Sequence, residues 1–264
     1  MAGIGRAVSP IGFGAFKIGR TEGAKYPLPY DLPDFDQAAR LLDGLLDLGI
    51  RYLDTAPAYG VSEERIGRAI GHRRAEFLLS TKVGETYDNG RSTFDFSERA
   101  VRESLDRSRA RLRADTLDLV FVHAQHDDVD VLIHSDVVST LRKKREEGVV
   151  AAIGLSGYTE PAFRLGLEWA DALMIEYHPL DRSLEPVIAE AARRGVAVMV
   201  KKPLASGRLD PEQAIEFILS NPGVTSVVVG SLNLDHLAEA ARIARRVRPF
   251  AEQASGCGGA AEEL

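Results

Sequence analysis

Cysteine is scarce in this chain of 264 residues, which contains only Cys257. One thiol cannot form an intrachain disulfide, and it cannot supply a cysteine-based metal cluster. Cys257 also lies in a stretch rich in small residues, 251–264, that has no apolar periodicity. We expect this C-terminal tail to be disordered and its thiol to be chemically inert.

Long apolar runs and an excess of positive charge are also absent. No stretch approaches the ~20 apolar residues of a membrane-spanning helix, and the N-terminus lacks the pattern of a signal peptide. The formal net charge is -6, and the lysines and arginines are dispersed rather than clustered. We therefore expect a cytoplasmic protein that binds neither membranes nor nucleic acid.

Short apolar runs, by contrast, recur along most of the chain. The first covers 11–16, and the later runs end near residues 54, 82, 123, 156, 176, 201 and 230. Each interval is long enough for a strand, a loop and a crossover helix. The runs therefore predict eight strands that pair in parallel.

Amphipathic patterns lie between these strands. The 3.6-residue spacing of a helix joins Ala38, Leu41, Leu42, Leu45 and Leu46. Further helices are predicted at 101–112, 137–147, 160–169, 184–194, 211–220 and 234–247. The alternation predicts an α/β fold, a single (β/α)8 TIM barrel over residues 1–250. A doubly wound sheet is the alternative, but segment 12–14 lacks the third glycine of a dinucleotide-binding loop.

Four residues with complementary proton-handling chemistry stand at or just beyond predicted strand ends. They are Asp54, Tyr59, Lys82 and His123. The carboxyl ends of all strands in such a barrel meet at one face, where these enzymes place their chemistry. We therefore predict that the four side chains converge in one active site.

The segment around two of these residues, Leu53-Asp54-Thr55-Ala56-Pro57-Ala58-Tyr59-Gly60, resembles the first signature of the aldo-keto reductases. The resemblance continues in chain order through 80–84, 118–123, 153–157, 203–207 and 222–225. It spans nearly the whole predicted barrel. It implies an NAD(P)H-dependent oxidoreductase that reduces an aldehyde or ketone to an alcohol, or catalyses the reverse reaction.

The chemistry of the four residues agrees with that expectation. Carbonyl reduction needs a proton donor for the developing alkoxide, and Tyr59 is the candidate general acid. A nearby ammonium favours the phenolate form of a tyrosine, so Lys82 would tune Tyr59. Asp54 would pair with Lys82, and His123 would hydrogen-bond the substrate oxygen and orient it.

Other interpretations of the same residues stay open at this stage. Tyr59 could cap a turn, Lys82 could form a structural ion pair, and His123 could be a structural histidine. His123 with His126 and the acidic residues after it could suggest a metal site, although the spacing is that of a loop, and we predict no metal. The whole chain could instead be a non-catalytic nicotinamide-binding regulator, or a sugar-phosphate isomerase or aldolase with Lys82 as Schiff-base nucleophile.

The resemblance further implies that the cofactor lies across the barrel mouth. Asp54 would approach the nicotinamide ribose, Ser156 would bind the carboxamide, and the start of the last helix would hold the adenosine phosphate. The cofactor-binding residues it implies are Gly14, Ala15, Phe16, Asp54, Ser156, Gly157, Met174, Lys201, Pro203, Leu204, Ser206, Gly207, Gly230, Ser231 and His236.

Several of these positions depart from the usual family residues. Gly157 replaces an asparagine, and a glutamine aligns with Met174 or, as the alternative, with Glu176. Lys201 replaces an aromatic residue, and it could pair with the pyrophosphate or satisfy a carboxylate inside the barrel.

The cationic pair that many relatives place around the 2′-phosphate is replaced here by Gly230 and His236. Ser231 and the helix amides can still hold a phosphate. We predict NADP(H) as the cofactor, with weaker discrimination against NAD(H) than a Lys/Arg pair would provide.

Two long connections are predicted to wall the substrate pocket. They cover 17–34, with Tyr26 and Tyr30, and 85–96, with Tyr87. Long loops in a compact barrel are commonly functional. We predict that these tyrosines contact a small-molecule carbonyl or alcohol substrate in an open pocket, which a second subunit of a homo-oligomer could complete.

Overall fold

The computed structural model describes residues 7–23 and 29–248. The strands, in chain order, are β1 (Ile11–Gly14), β2 (Tyr52–Asp54), β3 (Leu78–Val83), β4 (Glu85–Asp88), β5 (Arg91–Phe94), β6 (Leu117–His123), β7 (Val150–Ser156), β8 (Ala172–Glu176), β9 (Ala197–Lys201) and β10 (Ser226–Val229). Tyr26 and the predicted C-terminal tail lie outside the described residues.

The helices alternate with these strands. They are α1 (Phe35–Asp47), α2 (Ser62–Ile70), α3 (Glu98–Leu112), α4 (Asp128–His134), α5 (Val137–Glu146), α6 (Glu160–Gly166), α7 (Glu185–Arg194), α8 (Pro211–Ser220) and α9 (Leu234–Val247). Among them α1 begins with a reciprocal cap, in which Asp34 accepts from the Gln37 amide and Gln37 accepts from the Asp34 amide. No helix of the described part of the chain is long and apolar enough to cross a membrane.

Eight of the strands close into a parallel barrel in the order β1-β10-β9-β8-β7-β6-β3-β2, and β2 pairs with β1 to complete the ring. The predicted (β/α)8 barrel is therefore confirmed. The predicted helix positions are also recovered within a few residues, while α2 and α4 are additional. The first strand is shorter than predicted, because the chain leaves β1 after Gly14 for a single 3-10 turn, Ala15–Ile18.

The predicted loop 85–96 is in fact an antiparallel hairpin of β4 and β5, which lies outside the barrel sheet. Its tip is Asn89-Gly90, with φ of 47° and 80°. Two consecutive positive φ values define the tight turn that favours Asn-Gly, because glycine tolerates the left-handed region. This dipeptide was the sequence signal for the hairpin.

The barrel interior is mostly apolar below its mouth. A compact inner cluster contains Tyr52, Leu78, Leu119, Phe121, Ala152, Ala172, Met174, Ala197, Met199 and Val228. Side chains alternate across a strand, so the next inward position after Phe121 is His123, after Met174 is Glu176, and after Met199 is Lys201. The top layer is therefore polar, above a mostly apolar floor.

Candidate active site

A buried ion pair forms the centre of the barrel mouth. Lys82 Nζ lies 2.8 Å and 2.7 Å from the two carboxylate oxygens of Asp54 and 2.8 Å from the Thr55 carbonyl oxygen. Lys82 is 1% exposed and Asp54 is 3% exposed. Burial lowers the pKa of Lys82, and the Asp54 charge opposes that shift. The ammonium is thus held by three acceptors rather than buried alone.

The Ser80 hydroxyl, itself bonded to Tyr52, holds Asp54 from the other side. Ser80 Oγ donates to Asp54 Oδ1 at 2.7 Å, and Tyr52 OH lies 2.9 Å from Ser80 Oγ. Ser80 is two residues before Lys82 on β3, on the same inward face of the strand. The carboxylate is therefore fixed by the barrel interior, and its position determines where the ammonium can lie.

Tyr59 lies over this ammonium. It ends a short 3-10 turn, Pro57–Tyr59, that follows β2. Lys82 Nζ is 4.6 Å from the centroid of the Tyr59 ring, and the His123 ring is 6.2 Å from it at 85°. Phe16 packs against the ring edge-on at 5.2 Å. The structure therefore brings together the four residues that the sequence predicted to converge.

A close backbone contact fixes the turn that carries Tyr59. The Val61 amide donates to the Gly19 carbonyl at 3.2 Å, and Gly60 has a φ of 60°. A Cβ at Gly19 would collide with the Tyr59 carbonyl oxygen, and a Cβ at Gly60 would collide with the Gly19 carbonyl oxygen. Only glycine at both positions lets the two segments approach this closely.

His123 faces the carboxylate of Glu85, which the sequence motifs did not indicate as part of the site. Its Nδ1 lies 2.9 Å from Glu85 Oε2, and the Glu85 side chain is 10% exposed. Burial lowers the pKa of His123 below its ordinary value; Glu85 opposes the shift, and the Lys82 and Lys201 charges add to it. Glu85 is close to Nδ1 but is not placed to form a hydrogen bond with it, since Nδ1 has no hydrogen-bond partner among the described residues.

Glu85 reaches His123 because the hairpin begins there. It is the first residue of β4, three positions after Lys82, and Ser92 Oγ on β5 donates to its Oε1 at 2.6 Å. Burial acts to raise the pKa of Glu85, but His123, Ser92 and Arg20 hold it below its usual value. The Asn89-Gly90 signal would have placed Glu85 at the base of a hairpin beside the predicted site.

Lys201 occupies the other side of the mouth. Its Nζ lies 3.2 Å from Ser156 Oγ, 2.9 Å from the Gly157 carbonyl oxygen and 4.4 Å from the Tyr158 ring centroid. Burial, then the charges of Lys202 and Lys82, lower the pKa of Lys201 to about 7. The side chain is half-buried, with its ammonium against the two residues predicted to receive the carboxamide.

One prediction for Lys201 was that it pairs with a carboxylate, but its neighbour Lys202 makes that pair instead. Lys202 Nζ lies 2.6 Å from Glu176 Oε2, while Lys201 bonds neutral oxygens. Met174 is 2% exposed in the inner apolar cluster and pairs in register with Ser156. Glu176, the other candidate for that family position, is at the mouth end of the same strand.

Gly14, Ala15 and Phe16 lie at the exit of β1. Gly14 pairs in register with Asp54, and a Cβ there would meet Val228 at 3.1 Å with Gly230 behind it. The three residues are therefore at the same mouth as the four proton-handling residues, between β2 and β10.

The loop after β9 is a tight turn that closes on itself. Ala205, Ser206 and Gly207 all have positive φ, at 46°, 63° and 92°. The Ala205 and Gly207 amides donate to the carbonyl oxygens of Lys202 and Leu204 at 3.0 Å and 2.8 Å, so these amides are already paired within the loop. Pro203 and Leu204 begin this loop, directly after Lys201 and Lys202.

The start of α9 offers an anion site. Asn233 caps the helix by accepting from the Asp235 amide at 2.8 Å, and Ser231 Oγ lies 3.4 Å from His236 Nδ1. Gly230 precedes them at the end of β10. Backbone amides and partial positive charge at a helix N-terminus favour phosphate. These groups fit a phosphate group of a dinucleotide.

Arg20 joins the two connections that were predicted to wall the pocket. Its guanidinium lies 3.3 Å from the Tyr87 ring centroid and donates to the Ala58 carbonyl at 2.9 Å. Tyr87 OH donates to Glu22 Oε2 at 2.9 Å, and Tyr30 OH donates to the Arg20 carbonyl at 2.6 Å. Tyr87 therefore joins the hairpin to the first loop, and Tyr30 closes that loop on itself, one residue away from Tyr59.

The alternative chemistries find less support in this arrangement. Asp128 accepts from the Tyr158 and Thr159 amides at 2.8 Å each and from Thr159 Oγ1 at 2.7 Å, so it shapes the loop after β7. The described residues contain no group of three or more His, Cys, Asp or Glu placed to hold a metal ion. A Schiff-base lysine needs an accessible amine, whereas all three N–H bonds of Lys82 have acceptors.

Comparison with known proteins agrees with this geometry. The model of the aldo/keto reductase family matches residues 10–216. A D-threo-aldose 1-dehydrogenase from a Pseudomonas species is 29% identical over 92% of this chain and 91% of that protein. The L-galactose dehydrogenase of Arabidopsis thaliana is 30% identical over 84% of this chain and 70% of that protein.

Solved structures give the same result. A crystal structure from Pseudomonas aeruginosa, of a protein assigned to the aldo-keto reductases, is 39% identical, has a TM-score of 0.85, and covers 92% of both chains. The family resemblance found in the motifs is therefore confirmed. The chain belongs to the aldo/keto reductase family, and it is an oxidoreductase that uses a nicotinamide cofactor on a small-molecule substrate.

Proposed function

We propose that this enzyme interconverts an alcohol or sugar lactol with the corresponding carbonyl compound, using NADP(H) and Tyr59 as the general acid and base. One observation carries the proposal: the Lys82 ammonium, clamped by Asp54, lies 4.6 Å from the Tyr59 ring. A fixed cation beside a phenol stabilises the phenolate, which lets Tyr59 both give and accept a proton near neutral pH.

Each protein residue then has a separate task. The bound nicotinamide ring supplies or accepts the hydride. In reduction, Tyr59 gives its proton to the oxygen that becomes the alcohol, and in oxidation its phenolate takes that proton back. Lys82 acts through Tyr59, Asp54 holds Lys82, and His123 orients the substrate beside Tyr59.

The preference for NADP(H) is supported by the groups at the start of α9. Ser231, His236 and the first-turn amides can together hold a 2′-phosphate, each charge-assisted hydrogen bond contributing roughly 1.5 to 3 kcal/mol. Gly230 contributes no cation, so discrimination against NAD(H) should be weaker than a Lys/Arg pair gives.

The carboxamide end of the cofactor would meet a different set of groups. Ser156 Oγ and the Lys201 ammonium lie 3.2 Å apart, beside the Gly157 carbonyl. We propose that Lys201 supplies the hydrogen bond to the carboxamide that an asparagine side chain at position 157 would otherwise donate.

The named relatives support a sugar-like substrate. Both the Pseudomonas and the Arabidopsis proteins are named as dehydrogenases of sugars. The polar mouth, with Arg20 and Tyr87 at its rim, suits a polyhydroxylated compound more than an apolar one. A homo-oligomer that completes the pocket and a cytoplasmic location stay predictions.

The Tyr59→Phe variant tests the proposed function. Turnover of aldoses and simple aldehydes should fall by more than about a hundredfold, equivalent to the loss of ~3 kcal/mol of transition-state stabilisation. The dissociation constant for NADPH, from cofactor fluorescence, should change by less than about threefold. Turnover within about tenfold of the wild type would remove Tyr59 from the proton-transfer step.

A further inference from the structure

The peptide unit that joins Ala58 to Tyr59 helps to set the direction in which the Tyr59 side chain leaves the backbone. This unit lies in the short 3-10 turn Pro57–Tyr59. Its amide, that of Tyr59, donates to the Ala56 carbonyl at 3.0 Å, and its carbonyl, that of Ala58, accepts from Arg20 Nη1 at 2.9 Å. One polar end is therefore held by the turn itself, and the other by a side chain 38 residues away in sequence.

The bond from Arg20 to the Ala58 carbonyl is not easily replaced by water. Ala58 is 1% exposed, so the solvent has little access to its carbonyl oxygen. A buried carbonyl that loses its donor is strongly unfavourable, and the backbone around it tends to move toward another partner. Removal of the Arg20 guanidinium should therefore displace the turn, and the Tyr59 ring with it.

Arg20 is itself fixed by contacts with two other segments. Its Nε donates to the Glu22 carbonyl at 2.7 Å within the first loop, and its guanidinium carbon lies 3.3 Å from the centroid of the Tyr87 ring on the hairpin. A guanidinium is planar and presents its donors in a rigid fork. These two contacts therefore determine the direction of the N–H that reaches Ala58.

The position of Tyr59 is important because the charge that tunes it cannot follow a displaced ring. Lys82 Nζ is 4.6 Å from the Tyr59 ring centroid, and Asp54 holds that ammonium at 2.7 Å. The stabilisation of a phenolate by a cation weakens as the two groups separate. A misplacement of about 1 Å in a reacting group can cost about a hundredfold in rate.

We infer that Arg20 is a positioning residue for proton transfer, which holds the Tyr59 phenol over the Lys82 ammonium through the Ala58 carbonyl. The inference rests on the proposed function, in which Tyr59 exchanges the proton. Since Arg20 is anchored on both the first loop and the hairpin, the two segments at the rim of the pocket also set the geometry of the proton donor.

Arg20→Met tests the inference, because methionine has neither the donor nor the charge. The single-turnover rate of NADPH oxidation at saturating aldehyde should fall by about 10- to 100-fold. The pH profile of alcohol oxidation should shift upward by about half a unit or more, since a displaced phenolate is less stabilised by Lys82. The Kd for NADPH, from cofactor fluorescence, should change by less than about threefold. A wild-type rate with a wild-type pH profile would overturn the inference.

Arg65→Met is the matched control. Arg65, on α2, donates from Nη1 to the Ile18 carbonyl at 2.7 Å, two residues before Arg20. It therefore holds the same segment by the same kind of bond, but not through the carbonyl next to Tyr59. Its single-turnover rate and pH profile should stay within about twofold and about 0.2 units of the wild type. Equal changes in Arg65→Met and Arg20→Met would mean that Arg20 only holds the first loop together, and would overturn the inference.

Two further variants separate the bond to Ala58 from the other contacts of Arg20. Arg20→Lys keeps a donor and the charge but loses the rigid fork, so its rate should lie between those of the wild type and Arg20→Met. Tyr87→Ala leaves the guanidinium and its donor in place, so its single-turnover rate should stay within about fivefold of the wild type while substrate KM rises. A rate as low as that of Arg20→Met in either variant would overturn the inference.

The Tyr59→Phe variant distinguishes a failure of this inference from a failure of the proposed function. Full turnover in Tyr59→Phe would reject the proposed function, and the inference with it. An inactive Tyr59→Phe together with a fully active Arg20→Met would reject the inference alone.

Discussion

At the scale of single residues, Lys82 has the most restricted role. Its three N–H bonds all end on oxygen atoms of Asp54 and Thr55, and the residue is 1% exposed. It therefore has no hydrogen to offer a substrate, and it can influence the reaction only as a charge beside Tyr59. The ion pair of Lys82 and Asp54 could be structural or catalytic. Both interpretations predict the contacts seen here, so an experiment must separate them.

Lys82→Met should abolish most turnover and shift the pH profile of alcohol oxidation upward, because the phenolate of Tyr59 loses its stabilising cation. It should also cost about 3 to 5 kcal/mol of stability, since Asp54 becomes an unpaired buried charge. Denaturant unfolding and the rate profile measure the two effects separately.

The double variant Asp54→Asn/Lys82→Met is the control for this prediction. It removes both buried charges, so most of the lost stability should return while turnover stays low. Recovery of turnover together with stability would mean that the pair is structural only.

Lys201 is the second residue with an unusual environment, because its pKa of about 7 makes its charge depend on pH in the working range. NADPH affinity should fall as pH rises from 6 to 8.5, since binding to a cofactor oxygen favours the protonated amine and the neutral form dominates above the pKa. Lys201→Met should bind NADPH more weakly at pH 6 and show a flatter dependence.

A cofactor fragment separates the two roles that Lys201 could have. The 2′-phosphate analogue of ADP-ribose keeps the pyrophosphate but lacks nicotinamide. If Lys201 contacts the carboxamide, the wild type and Lys201→Met should bind the fragment with the same affinity. An effect of equal size on the fragment and on NADPH would place the ammonium at the pyrophosphate.

At the scale of elements, two segments outside the barrel sheet complete the site. The first loop and the hairpin of β4 and β5 meet where Arg20 stacks on Tyr87 and binds the Ala58 carbonyl. The barrel supplies strand ends, but these two segments supply Glu85 and the rim of the pocket. Variation in them can change substrate choice without disturbing the proton-handling residues.

Tyr87→Ala should raise substrate KM by about 2- to 30-fold, because it removes the ring under Arg20, a contact of roughly 0.5 to 2 kcal/mol. NADPH affinity should change by less than about twofold. Tyr87→Phe is the control, since it keeps the ring and loses only the hydrogen bond to Glu22. Equal effects on substrate and cofactor would place this rim over the cofactor instead.

At the scale of the whole molecule, cofactor binding should stabilise the barrel, because the predicted site joins the ends of β1, β7 and β9 to the start of α9. A ligand at 100 times its Kd stabilises the native state by about 2.7 kcal/mol, or about 5 to 10 °C in Tm for a domain of this size. At equal concentration NADPH should raise Tm more than NADH, and the difference should narrow in His236→Gln. A larger shift with NADH would reverse the predicted preference.

The sequence by itself determined the barrel and the meeting of Asp54, Tyr59, Lys82 and His123. Both follow from local patterns. Alternation along a strand settles which side chains point inward, and a closed parallel barrel brings all carboxyl ends to one face. The family motifs added the reaction class, which the comparisons with known proteins confirmed.

Only the tertiary structure decided the partners of these residues. Glu85 on His123, Arg20 on Tyr87 and Lys201 on the Gly157 carbonyl join positions that are 38, 67 and 44 residues apart. Such pairs form because barrel closure and the Asn89-Gly90 turn bring separate segments into contact. Neither the spacing nor the type of the residues encodes them, since buried polar groups bond whichever partner the fold supplies.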